Sequence, residues 1–369
     1  MKGSETKLEI HEANTIEGFF KLKKCWNNLL EKSKDNSPVL TWEHTYVSVK
    51  NLKNNQSLRI LYITSGDRIV AIAPLRNSRY KLWRVGYDVI EPLDYGSATD
   101  YTGFILSERE PECLQIFLTY LYYQNNWNFL SINDTPETST FMRLLTQKKD
   151  WGFKFNFEKG EKCPYMTLPD SMDKFLNNLK PHHRKVLRWC LRSLGRDHGR
   201  VELKEYHQIG SLEYTMGLFF DLHQKRWTSR GKTGAFSSDK IRAIFLDRAK
   251  LFAPKGWLGL YFLTVNDKSV AAYYSLKYNK KLYLCLTGFD PEYYKYSVSN
   301  LLLVKIVEEC INQGFTEFDF MKGEELYKSR WTREFRYNFN VRLINRRLSA
   351  QIIALVEKTR NAARAKISF

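Results

Sequence analysis

The 369-residue sequence has no long apolar run and no apolar signal segment. A helix that crosses a bilayer needs roughly 20 consecutive apolar residues, and no stretch of the chain approaches that length. Residues 1–9 are polar and of mixed charge, whereas a secretory signal has an apolar centre. We therefore expect a cytoplasmic protein without a transmembrane segment, either free or peripheral at the inner face of the membrane.

Cysteine pairs of the kind that hold metals or form disulfide frameworks are also missing. The six cysteines are scattered along the chain, without a C-x-x-C pair and without histidines at zinc-finger spacing: Cys25, Cys113, Cys163, Cys190, Cys285 and Cys310. Free cysteine is among the most buried residue types. The pattern predicts buried free thiols and no metal site.

Four motifs of common enzyme classes are absent: the P-loop, G-x-G-x-x-G, G-x-S-x-G and H-E-x-x-H. Their absence argues against kinases, dehydrogenases, hydrolases and zinc proteases. Acidic residues are in deficit, with 40 against 58 lysines and arginines, so the formal net charge is +18. Such an excess attracts anions at long range, although a basic surface also serves solubility alone.

The length of the chain and its 43% of hydrophobic residues predict two domains with substantial cores. In the first half, helical periodicity over residues 16–30 is followed by strands around the turn at residues 65–67. Further elements are expected as strands at 81–89, 100–106, 127–133 and 152–157, and as helices at 110–124 and 137–147. This alternation indicates an α/β fold.

A similar order of elements recurs in the second half. A hairpin, 257–265 and 269–278, precedes a strand at 281–288 and a helix that Ser297 or Ser299 can cap. The strand at 315–320 then runs parallel to the one before the helix, because strand, helix and strand form a right-handed crossover. We interpret the chain as a structural duplication, with domains at 1–159 and 160–346 and a basic amphipathic helix at 347–369. Leu348, Ile352, Leu355 and Val356 share one face of that helix.

Two stretches carry a family resemblance. Residues 319–331 read D-x3-G-E-x2-Y-K-x2-W, and residues 222–236 read LHQKRWTSRGKTGAF. The first resembles the signature of the CelD/BcsL branch of the GNAT superfamily, also called BioF2-like acetyltransferases, and the second resembles that family's helix and loop near the acceptor. The resemblance covers about half of the chain. It implies two tandem GNAT-like domains, the first degenerate, with acetyl-CoA or another acyl-CoA as co-substrate and no metal.

The helix after residue 297 has free N–H groups at its start, and such groups bind anions. The resemblance implies that the pyrophosphate of the co-substrate lies there, among Tyr296, Ser297, Val298, Ser299 and Asn300. Relatives usually carry Ser-Pro-Gly where this chain has Ser297-Val298-Ser299. The resemblance also implies that the pantetheine arm pairs with the strand that contains Leu284, Leu286 and Gly288, whose N–H groups would bind the thioester oxygen.

Catalytic roles are expected in the 319–331 motif. Attack by an amine or hydroxyl needs a proton acceptor, for which Asp319 and Glu324 are the candidates. Lys328 would stabilise negative charge, and Tyr327 would protonate the leaving thiolate. Structural roles are the alternative: Asp319 as a turn cap, Glu324 with Lys328 as a surface pair, and Tyr327 as a core residue.

Two helices carry further candidate binding residues. His223, Arg226 and Trp227 share a face and are candidates to line an acceptor pocket, although a lone histidine more often packs or caps. Arg184, Arg188, Arg192 and Arg196 form a cationic stripe that suits the phosphates of transfer RNA, of an anionic membrane surface or of a sugar nucleotide. A solvated amphipathic helix is the alternative for this stripe.

Three functions fit the sequence. The first is an acyl-CoA-dependent N- or O-acyltransferase, with a small-molecule or saccharide acceptor such as an envelope-related sugar, a polysaccharide precursor or an amine. The second is a transferase like the FemAB ligases, which the double architecture resembles and which take an aminoacyl group from charged transfer RNA. The third is a non-catalytic module that binds a polyanion. The sequence leaves the oligomeric state open.

Overall fold

The structure is a computed structural model that describes residues 6–94, 100–148, 150–208 and 210–367. The start of the segment considered for a signal, residues 1–5, lies outside this range, as do the side chains of residues 361–369. The chain divides into two compact units, Met1–Glu161 with Tyr337–Phe369, and Lys162–Arg336. Within the described residues, no helix is long and apolar enough to cross a membrane.

The first unit contains a mixed sheet and several helices. Its elements, in chain order up to the boundary with the second unit, are β1 (Leu8–Ala13), α1 (Ile16–Lys21), α2 (Lys23–Lys32), α3 (Trp42–Lys50), β2 (Gln56–Ser65), β3 (Arg68–Leu82), β4 (Val85–Pro92), β5 (Ile105–Leu106), α4 (Glu110–Tyr122), β6 (Phe129–Pro136), α5 (Thr140–Gln147) and β7 (Phe155–Thr167).

The second unit has the same character, and the chain then returns to the first. These elements are α6 (Met172–Asn178), α7 (Pro181–His198), β8 (Val201–Glu205), α8 (Leu212–Thr228), α9 (Asp239–Phe252), β9 (Leu258–Val265), β10 (Lys268–Tyr278), β11 (Lys281–Phe289), α10 (Val298–Asn312), β12 (Glu317–Asp319), β13 (Phe335–Ile344) and α11 (Leu348–Ile367). Short 3₁₀ helices occur at Pro38–Leu40, Tyr206–Gln208, Ala235–Ser237, Ala253–Lys255, Pro291–Tyr296 and Lys328–Arg330.

In the first unit the strand order is β1, β2, β3, β4, β6 and β13, with β5 also paired to β3. The neighbours are antiparallel except β4 and β6, which run parallel at Val89 opposite Phe129 and at Ile90 opposite Leu130. One face of this sheet forms a core with α4 and α5. The opposite face packs Val89 and Phe129 against Ile353 of α11.

The boundary between the units falls within β7, whose residues from Lys162 onward belong to the second unit. The strand order there is β7, β12, β11, β10, β9 and β8, and only β11 and β12 run parallel. The main core lies between one face of the sheet and helices α7 and α10. Aromatic residues of α8 and α9 pack on the other side of β10, where Phe219 and Phe245 both contact the ring of Tyr274. The α/β class expected from the sequence is confirmed.

Several expected boundaries differ from the structure. The strand predicted at 81–89 begins later, as β4 at Val85, because a turn at Trp83 separates it from β3. The strand predicted at 100–106 is paired only at Ile105–Leu106. The expected domain limit at 159/160 falls inside β7. Residues 337–346, expected in the second domain, cluster with the first unit because β13 pairs with β6 there.

The C-terminal helix packs through a face that matches only in part the apolar one that the sequence indicates, because Val356 packs against the core and the other three residues are exposed. Leu348, Ile352 and Leu355 are 72%, 53% and 63% exposed, whereas Ala350 and Ile353 are buried. All six cysteines are free thiols, four of them buried.

Candidate active site

The two parallel strands of the second unit part at their carboxyl ends. They pair from Lys281 opposite Glu317 to Tyr283 opposite Asp319, where β12 ends while β11 continues to Phe289. A β-bulge at Cys285 interrupts the pairing of β11 with β10, and bulges of this kind often lie beside active sites. Among the strands that the structure describes, none pairs with this edge of β11 beyond Tyr283.

Helix α10 begins directly above this opening. A short 3₁₀ helix, Pro291–Tyr296, leads to Ser297, whose φ of 50° is left-handed and whose side chain does not cap the helix. The first N–H groups of an α-helix have no partner within the helix. They carry a partial positive charge from the helix dipole, so the start of α10 is suited to an anion.

A cavity of about 640 Å³ lies at this helix start. Four cationic residues line it, Arg226, Arg230, Lys295 and Arg330, together with one carboxylate, Glu325. The other lining residues are polar or apolar: Thr287, Phe289, Tyr294, Ser297, Val298, Ser299, Asn300, Leu326 and Tyr327. None of the four cations forms an ion pair with a carboxylate of the described residues. The cavity is therefore strongly cationic.

Arg226 of α8 is the best anchored of these cations. Its Nη1 donates to the carbonyl oxygen of Thr287 at 3.2 Å and also to the hydroxyl of that residue. Burial is the main cause that lowers the pKa of Arg226, and the neighbouring Arg230 lowers it further. A guanidinium nevertheless stays charged in proteins, so a half-buried positive charge without a carboxylate partner is held at the cavity.

Asp319 shapes the loop after β12. Its side chain is fully buried, Oδ1 accepts a hydrogen bond from the N–H of Met321 at 2.7 Å, and Arg336 lies 3.7 Å from Oδ2. Met321 has a left-handed φ of 58°, which the hydrogen bond stabilises. Asp319 does not line the cavity.

Lys328 stabilises the same loop from the other side. Its Nζ is buried and pairs with Glu325 at 2.8 Å. It also donates to three consecutive carbonyl oxygens, those of Met321, Lys322 and Gly323, at 3.3, 2.9 and 3.3 Å. A Cβ on Gly323, whose φ is 115°, would meet Glu325 Oε2 at 2.5 Å. Asp319, Gly323 and Lys328 thus fold a loop that places Glu325 and Tyr327 at the cavity.

Glu324, the carboxylate that the sequence motif suggests, lies elsewhere. It is exposed, pairs with Lys162 at 3.5 Å and does not line the cavity. The next residue, Glu325, supplies the carboxylate there. Sequence reasoning missed Glu325 because the direction of a side chain in an irregular loop is not encoded in residue spacing.

Tyr327 is the residue of the motif that lines the cavity and whose hydroxyl has a raised pKa. Burial is the main cause that raises its pKa, followed by the nearby Tyr273 and Glu325, while Arg226 acts in the opposite sense. The hydroxyl is therefore protonated at neutral pH and can donate a hydrogen bond.

Of the three residues predicted on α8, only Arg226 lines the cavity. His223 is buried, and its Nε2 accepts a hydrogen bond from Trp227 Nε1 at 3.0 Å. Burial and the charge of Arg226 lower the pKa of His223 to about 4, so the ring is neutral. Its backbone packs on Gly288, where an added Cβ would lie 2.4 Å from His223 N.

The residues predicted around the co-substrate separate into two groups. Ser297, Val298, Ser299 and Asn300 line the cavity. Tyr296 is buried outside it, and its hydroxyl donates to Asp197 at 2.8 Å and contacts His198 at 3.0 Å. On β11, Leu284 belongs to the core, and Thr287 and Phe289 line the cavity while Leu286 and Gly288 do not.

The predicted cationic stripe lies on α7, outside the cavity. Arg184 donates to Asn177 Oδ1 at 2.8 Å, whereas Arg188 and Arg192 are exposed. Between them Trp189 is 52% exposed. The stripe is a surface feature, and an exposed aromatic residue lies beside it.

Known proteins show similarity in fold and, locally, in sequence. Comparison with curated protein sequences finds no match. The crystal structure of FemX is 11% identical with a TM-score of 0.65, covering 93% of this chain and 99% of that one. A conserved protein of unknown function from Bacteroides thetaiotaomicron is 11% identical with a TM-score of 0.53, covering 91% of this chain and 100% of that one.

The C-terminal domain of an Agrobacterium fabrum protein given the name lysylphosphatidylglycerol synthetase is 13% identical with a TM-score of 0.52, covering 92% of this chain and 96% of that one. Residues 181–329, which include all of the residues that line the cavity except Arg330, match the family model described as an acetyltransferase (GNAT) domain. Residues 181–329 are thus similar in sequence to a GNAT acetyltransferase domain, and the mixed α/β fold of the chain is similar to that of FemX.

Proposed function

We propose that the second unit is an acyltransferase that takes its acyl group from an acyl-CoA, with acetyl-CoA as the first candidate. The observation that carries this proposal is the unpaired cationic lining of the cavity at the start of α10. Coenzyme A carries a pyrophosphate and a further phosphate, and helix N-termini and arginines are the groups that bind phosphates. Within the family, the 319–331 motif favours the CelD/BcsL branch.

The open edge of β11 suits the rest of the co-substrate. The pantetheine arm contains two amides, which can pair with a free strand edge as an added strand would. The backbone of Leu284, Leu286 and Gly288 would provide this edge. N–H groups directed at the thioester oxygen would then stabilise the negative charge that develops during attack.

The chemistry proposed is direct attack by an amine or hydroxyl of the acceptor on the thioester carbon. A C–N or C–O bond forms, the C–S bond breaks, and Glu325 accepts the proton of the nucleophile. Tyr327 gives its proton to the leaving thiolate. Asp319 and Lys328 act as positioning residues through the loop that they hold. The acceptor class proposed is a saccharide, an envelope precursor or an amine.

Truncation of the donor tests the role of the phosphates. We expect acetyl-CoA to bind and S-acetylpantetheine, which lacks the nucleotide and its phosphates, to bind at least tenfold more weakly. Equilibrium dialysis of both compounds against the full chain measures the difference. Equal binding of the two would contradict the assignment of the cationic cavity.

Aminoacyl-transfer RNA is the second candidate donor, and the exposed stripe on α7 is the observation that favours it. Arginines interleaved with an aromatic residue suit a nucleic acid backbone and its bases. Replacing Arg188 and Arg192 with glutamate would abolish transfer from charged transfer RNA. An enzyme that uses acyl-CoA and an uncharged acceptor would keep most of its rate, and a non-catalytic polyanion-binding module would lose only its binding.

A further inference from the structure

The first unit contains a cavity of its own, of about 500 Å³, on the sheet face that α11 partly covers. This volume is within the range of about 300–1,000 Å³ typical of ligand sites. Side chains of β3, β4, β6, β7, β13 and α11 line it. Neither the family model, which matches residues 181–329, nor the proposed transfer chemistry uses any of these residues.

The charge of this cavity differs from that of the whole chain. Its lining contains three carboxylates, Glu91, Glu158 and Glu357, against one guanidinium, Arg342. Arg342 pairs with Glu357 at 2.7 Å, and the buried Glu91 pairs with Arg76 at 3.0 Å. Glu158 is left exposed. In a chain of net charge +18, this cavity disfavours phosphates and favours a neutral or amine-bearing ligand.

Amide side chains supply the hydrogen-bonding groups. Asn133, Asn156 and Asn340 all line the cavity, and the first two are exposed to it. The Oδ1 of Asn340 accepts from the N–H of Asp134 at 3.0 Å, which directs its amide group. Each amide offers two donors and an acceptor oxygen with two lone pairs. Adjacent hydroxyl groups, which both donate and accept, are the matching partner.

Aromatic rings form another part of the wall. The rings of Tyr80 and Tyr87 lie 5.9 Å apart and are tilted by 31°, and Phe157 is 45% exposed. The hydroxyl of Tyr80 donates to Glu91 at 3.0 Å, so that ring is held in place. The negative face of an aromatic ring attracts C–H groups, which the face of a sugar ring presents.

We propose that this cavity is a saccharide-binding site that takes a neutral or amino sugar. The cavity combines amides that can bind sugar hydroxyls, aromatic rings that can pack on the face of a sugar, and an excess of carboxylates. A simple diamine would need the carboxylates but not the amides. The proposal does not rest on the acyltransferase function, because the cavity belongs to the first unit alone.

Binding of a small panel to the full chain tests the ligand class. The panel is glucosamine, N-acetylglucosamine and their di- and trisaccharides, with N-acetylglucosamine 6-phosphate and putrescine as comparisons. Ligand-observed NMR and calorimetry should detect at least one neutral or amino sugar. The phosphorylated sugar and putrescine should bind at least tenfold more weakly. Absence of sugar binding, or binding of either comparison compound as tight as that of the sugars, would overturn the proposal.

Variants locate the site. The double variant Asn133→Ala with Asn156→Ala should weaken sugar binding at least tenfold, while acetyl-CoA binding stays unchanged. Asn54→Ala, an exposed asparagine of the same unit outside the cavity, is the matched control and should bind as the unaltered chain does. Thermal unfolding checks that all variants fold. Equal sugar binding by the folded double variant and the control would place the sugar elsewhere and refute the site.

Discussion

Tyr327 is the residue on which the proposed chemistry depends most. Burial raises its pKa, so the hydroxyl stays protonated at neutral pH and is available as a hydrogen-bond donor to the leaving thiolate, to which the proposal has it pass its proton. We expect Tyr327→Phe to lower kcat about 10²-fold, in the range typical of lost general acid catalysis, and to leave acetyl-CoA binding unchanged.

Release of coenzyme A in the presence of an acceptor measures this rate. Tyr294→Phe is the matched control, because Tyr294 lines the same cavity but is 70% exposed. A Tyr327→Phe enzyme as fast as this control would remove Tyr327 from the mechanism.

His223 gives the second unit a predicted dependence on pH. Its pKa in the folded protein is about 4, below the ordinary value near 6.5, so the unfolded chain binds the proton more readily. Its contribution to stability is complete above about pH 6.5 and is lost as the pH falls towards 4. Between pH 6.5 and 5 the loss amounts to about 2 kcal/mol at most.

Urea unfolding at pH 7 and pH 5 measures this loss. His223→Gln keeps an acceptor for Trp227 but removes the titration, so we expect a smaller decrease in the free energy of unfolding. His182→Gln, at an exposed position of α7, should behave like the unaltered chain. An identical decrease in the His223 variant would show that other groups cause it.

The 319–331 motif shows which residues of the candidate site can be predicted from the sequence alone. The motif contains Tyr327, which lines the cavity. It does not separate Asp319 and Lys328, whose hydrogen bonds hold the loop, from Glu325, which lines the cavity. That separation depends on backbone turns such as the left-handed Met321, which residue spacing does not reveal.

At the scale of elements, the contact between α8 and β11 sets the position of Arg226. Gly288 allows the helix to approach, because an added Cβ would lie 2.4 Å from His223 N and 2.7 Å from Leu222 C. Both atoms belong to the backbone, so the helix itself must shift. We expect Gly288→Ala to destabilise the unit by about 1–3 kcal/mol, as overpacking does, and to weaken acetyl-CoA binding.

Gly217→Ala on the same helix is the matched control. No atom outside the helix lies within 4 Å of its added Cβ, so this change should stabilise the helix by about 0.5–1 kcal/mol. Chemical denaturation of both variants gives the comparison. A Gly288→Ala protein as stable as the Gly217→Ala protein would contradict the close packing of α8 on β11.

Elements with a strong periodic pattern are predictable from the sequence, and weakly paired ones are not. The hairpin of β9 and β10 and the helix α10 follow the expected ranges closely. The break at Trp83 depends on a left-handed φ of 53° that an L-residue rarely adopts. Helix α11 shows the same limit, since it buries Ala350 and Ile353 and leaves the larger apolar residues Leu348, Ile352 and Leu355 exposed.

For the whole molecule, the duplication could be inferred because the order of elements recurs. The return of the chain to the first unit could not, because the partner of β13 is β6, about 200 residues earlier in the sequence. Such long-range pairings are not encoded in local periodicity. The same holds for the cavity of the first unit, whose lining comes from segments far apart in the chain.

Calorimetric titration with acetyl-CoA, applied to the full chain and to two variants of Ser299, tests the central claim most directly. Ser299 lines the cavity in the first turn of α10. Glutamate there is compatible with a helix start but repels phosphates, whereas glutamine is its neutral counterpart. We predict micromolar binding by the unaltered chain, near-normal binding by Ser299→Gln, and at least a tenfold loss in Ser299→Glu. Absence of binding to acetyl-CoA and longer acyl-CoAs, or equal binding by the two variants, would contradict the account.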